Sequence, residues 1–210
     1  MKTYIKFKKA IILFIVIVLI PIFGFTQSIE NLDYISPIHD GFAAIKKDGQ
    51  WAFINTNGDI VVGFRNDLVT TKLDQGSYPV FVENRCLIQE KKDGISYFGY
   101  IDSSGKTIIE PQFLNATNFN NGNAIVLELV KEITGRNAAL EKDIVYYKYF
   151  ETIIDKNGEI KRYLNPPGVN IVLDREFLRE PPKINSKRLS DNLYAILNKN
   201  KKWSLITIKN

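Results

Sequence analysis

Apolar and polar positions alternate along most of this chain in short runs separated by glycine-ended turns. A period of two predicts strands, not helices. In residues 51–64, WAFINTNGDIVVGF, Trp51 and Phe53 fall on one face of a strand and Ala52 and Ile54 on the other. Residues 97–113, YFGYIDSSGKTIIEPQF, repeat the pattern, with Phe98 and Tyr100 opposed by Gly99 and Ile101. The turns NTNG (55–58), DSSG (102–105) and DKNG (155–158) each begin with Asn or Asp and end with Gly. The first side chain caps the turn's amides, and glycine takes the positive φ that lets the strands resume their twist. A β-branched run follows the first two turns, at 60–62 and 107–109, and pairs back.

Another short strand precedes each aromatic one: GFAAI (41–45), CLIQE (86–90), NAIVLELV (123–130) and LYAIL (193–197). In the first two copies a KDG hairpin signal, 47–49 and 92–94, joins it on. Each unit therefore reads as a three-stranded antiparallel meander, and the fold class as all-β with little helix. The units run about 38–64, 84–113, 119–163 and 182–210, within a single β-repeat domain expected over 28–210. Residues 111–126 can be laid on 182–197, which puts Trp203 in the place of Trp51. The large ring of each unit is expected to fill a shared core, with the small residue after it leaving room for a neighbouring strand.

The third copy is distorted by extra residues over 128–145, read as a long protruding hairpin with its tip at TGRN (134–137); NAALEK (137–142) reads alternatively as one helical turn. Proline pairs bracket a second irregular stretch, 165–182, where a short helix is expected around 173–179. Hairpin patterning fixes pairing within a unit and not between units. A closed barrel, a propeller and an open stack all stay open.

Residues 1–27 change the electrostatic picture. Lys2, Lys6, Lys8 and Lys9 precede an apolar run at 10–25 and then small and polar residues, the order of a secretory signal peptide. The expected address is outside the cytoplasm, periplasmic or at the cell surface, with an uncleaved N-terminal anchor as the alternative. Losing those four lysines leaves 24 basic against 23 acidic residues, a net charge of +1. A nucleic-acid partner thereby loses its support, and membrane contact is expected only through the N-terminal segment. Cys86 is the only cysteine, so no intramolecular disulfide forms, and its apolar CLI setting reads as core.

The stretch 98–126, FGYIDSSGKTIIEPQFLNATNFNNGNAIV, resembles the WG-repeat (KWG) proteins of bacteria. Phe98 stands at that family's tryptophan, Ala52 follows Trp51 where the family has glycine, and the third copy keeps mainly its turn. The resemblance implies a β-rich repeat array, often exported or envelope-associated, whose repeat is not known as a catalytic unit.

Candidate chemistry is sparse. His39 is the only histidine, and beside Asp40 it reads either as a base with an orienting carboxylate or as a polar residue leading into a strand. No GxGxxG, Walker loop or HExxH occurs, and the DSSG and DKNG turns lack the further ligands of a calcium loop. None of the 23 acidic residues stands in an otherwise apolar strand in a way that suggests a raised pKa. No catalytic residue, metal or cofactor is expected. The aromatic run VYYKYF (145–150) is the one candidate surface: Tyr146, Lys148 and Phe150 share a strand face, which either projects as a partner-binding site or is partly covered by neighbouring strands. The function expected is a noncatalytic binding or scaffolding module for a protein or glycan of the cell envelope; the alternatives are an envelope enzyme acting on glycans and a cell-surface structural component.

Overall fold

A computed structural model of the protein describes residues 29–138, 141–198 and 200–208. The signal segment expected at 1–27 lies outside the described residues. The chain divides into two compact units, Met1–Leu32 and Asp33–Asn210, and everything below concerns the second. Among the described residues there is no helix.

Four small antiparallel sheets follow one another along the chain. The first is ordered β1 (Tyr34–Ile35), β2 (Phe42–Lys47), β3 (Gln50–Asn55), β4 (Ile60–Arg65). After a minor hairpin, β5 (Thr71–Leu73) and β6 (Gly76–Tyr78), comes a sheet of β7 (Cys86–Lys92), β8 (Ile95–Ile101) and β9 (Thr107–Phe113). The third joins β10 (Asn123–Asn137), β11 (Lys142–Asp155) and β12 (Ile160–Tyr163), with β13 (Val169–Ile171) also on β11. The fourth holds β14 (Lys187–Arg188), β15 (Leu193–Leu197) and β16 (Trp203–Thr207). The all-β class and the repeated meanders are as the sequence leads one to expect.

Turn chemistry accounts for the repetition. Asp48-Gly49 and Asp93-Gly94 take positive φ at both positions, as a two-residue hairpin turn requires. Similar turns lead into β2, β7 and β10 at Asp40-Gly41, Glu83-Asn84 and Asn121-Gly122. At the second hairpin of each of the first three units the Oδ1 of Asn55, Asp102 and Asp155 accepts backbone N–H bonds from the residues two and four further on, at 2.9 to 3.1 Å. Asn198 makes a turn of the same kind in the fourth unit, but at the hairpin that joins β15 to β16, with Lys201 at φ 57 in place of glycine. That substitution hid this turn in the sequence.

The sheets pack one on the next. One apolar cluster joins Ala44, Phe53 and Val62 of the first sheet to Phe81, Ile88 and Ile101. A second joins Leu87, Tyr100 and Ile109 to Ala124, Val126 and Ile154, and a third joins Ile125 and Ile153 to Tyr194 and Ile196. None of these clusters joins the first sheet to the fourth among the described residues. The contact itself recurs. A Cβ at Gly105 would lie 3.4 Å from Val62, and one at Gly158 would lie 3.3 Å from Ile109, while one at Gly58 would meet open space among the described residues. Val62 and Ile109 are equivalent residues, paired with Phe53 and Tyr100.

The shared-core role expected of the large rings needs correction. Phe98 is 5% exposed, but Trp51 is only half-buried, edge-on to Tyr34, and Trp203 is 50% exposed. The rings that fill the inter-sheet core sit two residues further on, at Phe53 and Tyr100. They stay in the same strand face but point where the next sheet packs.

Two local expectations fail. TGRN is not the tip of the long hairpin: Thr134 is the extra residue of a bulge between the Ile133–Val145 and Gly135–Ile144 pairs, and pairing continues to Asn137–Lys142. The ladder thus excludes a helical turn at either flank, and residues 139–140 lie outside the described set. The helix expected at 173–179 is a single turn closed by Leu178 N–H on the Asp174 carbonyl, 2.9 Å. Leu178 enters the core there, and Pro181-Pro182 leave no room to propagate it.

Carboxylates at these turns tie stability to pH. The Ser104 hydroxyl and the N–H groups of Lys106 and Ser104 hold Asp102 below the ordinary range. Burial pushes Asp155 up, but the N–H groups of Asn157 and Glu159 and the Lys161 ammonium outweigh it and leave it low. Glu83 behaves alike, its burial outweighed by the Gly122 N–H and Lys156. Depressed carboxylates stabilise the fold above the unfolded pKa and lose that contribution as pH falls through the folded one. The melting temperature should therefore drop as pH is lowered from about 5 toward about 3. Asp102→Asn with Asp155→Asn keeps both turns, as Asn55 and Asn198 do, and should flatten that fall in a pH series of thermal melts.

Candidate functional site

The β10–β11 ladder sets Phe150 opposite Glu128, Lys148 opposite Val130 and Tyr146 opposite Glu132. Directly paired residues share a face, so Tyr146, Lys148 and Phe150 stand with Glu128, Val130 and Glu132 on one side of the hairpin. Lys148 Nζ lies 2.7 Å from Glu132, while Tyr146 is 54% exposed. Phe150 meets Tyr163 edge-on, centroids 5.4 Å apart. It also lies over Gly168, whose absent Cβ would come within 2.7 Å of the ring. Phe150, Tyr163, Val130, Glu132, Lys161 and Ile206 line an open groove of about 660 Å³. Burial, together with the Glu128 carboxylate that accepts its hydrogen bond, raises the pKa of the Tyr163 hydroxyl.

The opposite face is closed. Leu127, Leu129 and Tyr149 pack with Ile95, Tyr97 and Leu178, and burial raises the Tyr149 hydroxyl's pKa. Of the two arrangements open from the sequence, one face is packed and the face of Tyr146, Lys148 and Phe150 is half-open.

One carboxylate of this strand is buried. Glu151 is 4% exposed and Thr152 fully buried. Counting four residues back from the turn residue, as Trp51 precedes Asn55 and Phe98 precedes Asp102, puts Glu151 at the ring position of the third unit. Its Oε1 accepts the Asn185 N–H at 3.0 Å and its Oε2 the Ser186 N–H at 2.8 Å. Its backbone N–H donates to Asn165 Oδ1 at 2.6 Å, and its carbonyl accepts from Leu164 at 2.7 Å. Asn185 Nδ2 adds a fifth bond, donating to Oε1 at 3.3 Å, and all five go to the irregular segment 164–186. Glu151 is a clamp for that segment, and the same count along the sequence would have found it.

The remaining candidates resolve structurally. His39 Nδ1 donates to the Phe81 carbonyl at 2.9 Å, while Asp40 accepts the Glu83 N–H at 3.0 Å, so the two side chains serve separate backbone groups. Cys86 is fully buried, and burial pushes its thiol up to about 12, which leaves it unreactive. Asp102 and Asp155 spend their carboxylates on their own turn amides. Among the described residues no group of three or more His, Cys, Asp or Glu side chains is placed to hold a metal ion.

The family model described as a WG-containing repeat matches residues 29–51 and 98–128. The first match ends on Trp51 and the second begins on Phe98, so the repeat is divided at the ring position. The second stretch carries β8 from Phe98 through β9 into β10. No curated protein matches the chain.

Proposed function

We propose that this repeat-containing β protein is an exported, noncatalytic binding or scaffolding module of the cell envelope, and that its partner, a protein or a glycan, docks on the Tyr146, Lys148 and Phe150 face. The observation that carries this reading is the half-open side of the long β10–β11 hairpin, where Tyr146 is exposed beside an aromatic-lined groove while the reverse side is packed. Exposed aromatic area next to a few fixed charges suits stacking on a sugar ring or an apolar protein anchor.

The same face argues against the envelope-hydrolase alternative. Its two carboxylates, Glu128 and Glu132, are four residues apart on one strand, about 13 Å along it. Paired hydrolytic carboxylates stand about 5 to 9.5 Å apart. Glu132 is further committed to Lys148.

Sedimentation of the purified protein with isolated envelope tests the proposal, the envelope being treated beforehand with protease or with glycan-degrading enzyme. Tyr146→Ala should lower the bound fraction about tenfold, consistent with loss of one aromatic anchor, with an unchanged melting temperature. The treatment that abolishes binding identifies the partner class. Undiminished binding by Tyr146→Ala overturns the site.

A further inference from the structure

Among the described residues the fourth unit lacks the third meander strand that each of the other three units has. Tyr194 and Ile196 take the core places held by Cys86 and Ile88 in the second unit and by Ala124 and Val126 in the third. This makes β15 the first strand of its unit and β16 the second, with Trp203 and Leu205 in the places of Trp51 and Phe53. In the other units that second strand, β3, β8 or β11, carries a further strand on its far edge: β4, β9 or β12. Among the described residues nothing pairs with the far edge of β16.

That edge is bare in both backbone and side chains. Ile208 N–H donates to the Asn192 carbonyl and Asn198 N–H to the Lys202 carbonyl. Inward bonds in an antiparallel ladder recur at every second residue, so the N–H and C=O groups of Trp203, Leu205 and Thr207 point outward. Leu205 is 64% exposed, whereas Phe53 and Tyr100 at the same place are 1% exposed. Trp203 is 50% exposed, with Lys187 Nζ 5.0 Å from its ring. An apolar, unpaired edge of this kind is a template for strand addition.

We propose that the free edge of β16 takes an extended peptide segment of a partner protein, which adds antiparallel as the third strand of the fourth unit. Its alternate residues are apolar, to cover Trp203 and Leu205. Acidic residues lie at its C-terminal end, beside exposed Lys201 and Lys202. Residues 193–208 contain three lysines and no acidic residue, so the edge favours a negative strand and disfavours pairing with β16 of a second copy.

The probe is a synthetic peptide of alternating valine and threonine ending in two aspartates, compared with one ending in two lysines. On addition of the acidic peptide, amide exchange at Leu205 and Thr207 should slow by at least about tenfold, and the lysine peptide should bind at least about tenfold more weakly at low salt. Leu205→Pro removes an outward N–H and no inward bond, so it should melt as the wild type does and lose the protection. If Leu205→Pro does not fold, Leu205→Lys serves in its place. The proposal is overturned if the Leu205 and Thr207 amides gain no protection, if the two peptides bind alike, or if the edge proves to be filled by a second copy whose dimer the peptide cannot displace.

Discussion

Gly99→Ala is expected to cost about 3 kcal/mol or more, as an overpacking change against fixed backbone does, and to lower the melting temperature by about 6 to 12 °C for a chain of this size. Gly99 does not owe its place to an unusual φ. A Cβ built there would lie 2.3 Å from the Ile109 carbonyl oxygen and 2.7 Å from the Pro111 nitrogen, both backbone atoms that no rotamer change can move. The cause is register. Between the Phe98–Phe113 and Tyr100–Ile109 pairs, Gly99 alone faces three residues of β9, which fold in over it. In the first unit the pairs are Trp51–Arg65 and Phe53–Val62, so Ala52 faces only two residues and its methyl group fits with no exposure. Ala52→Gly should therefore cost only about 0.5 to 1 kcal/mol, the ordinary glycine penalty. Thermal melts of the two variants check the asymmetry. Equal, small shifts would mean that β9 does not fold over Gly99 as described.

The contrast shows where the sequence was legible. Asn55, Asp102 and Asp155 announced their turns because an amide-capping side chain and a positive-φ glycine are local requirements, visible in five residues. The fourth turn was invisible because Lys201 accepts a positive φ that only surrounding structure can impose. Alternation identified the strands and the face shared by Tyr146, Lys148 and Phe150, since side-chain direction follows from backbone pleating alone. It did not say how much of a face is covered. That depends on where the neighbouring sheet packs, which is why Phe53 and Tyr100 are buried while Trp51, on the same face as Phe53, is only half-buried. The segment 164–186 was least legible: its prolines break periodicity, and its anchor is a glutamate in another strand.

That anchor gives the second large effect. Glu151→Ala removes both carboxylate oxygens from the N–H groups of Asn185 and Ser186, and Ser186 is itself only 6% exposed. A buried amide left without an acceptor costs about 1 to 3 kcal/mol; Ser186 is such a group while Asn185 is exposed, so the loss should be about 2 kcal/mol, most of it from Ser186. Glu151→Gln is no remedy, because its Nε2 brings a donor to a place where an N–H already donates. The loss should also be local. The β7–β8–β9 sheet makes none of the five Glu151 bonds, so its amides should exchange at wild-type rates under native conditions, while those of Leu164, Asn185 and Ser186 exchange far faster. Residues 183–184 border the core through Ile184, and opening there would also loosen the cluster of Leu114, Leu127 and Leu178 beneath the closed face of the hairpin. Glu151→Ala should thus weaken partner binding at Tyr146 only near its melting range, when the hairpin's backing is lost. A variant that binds poorly at low temperature, with its Asn185 and Ser186 amides still protected, would show that Glu151 acts on the partner and not on the segment it clamps.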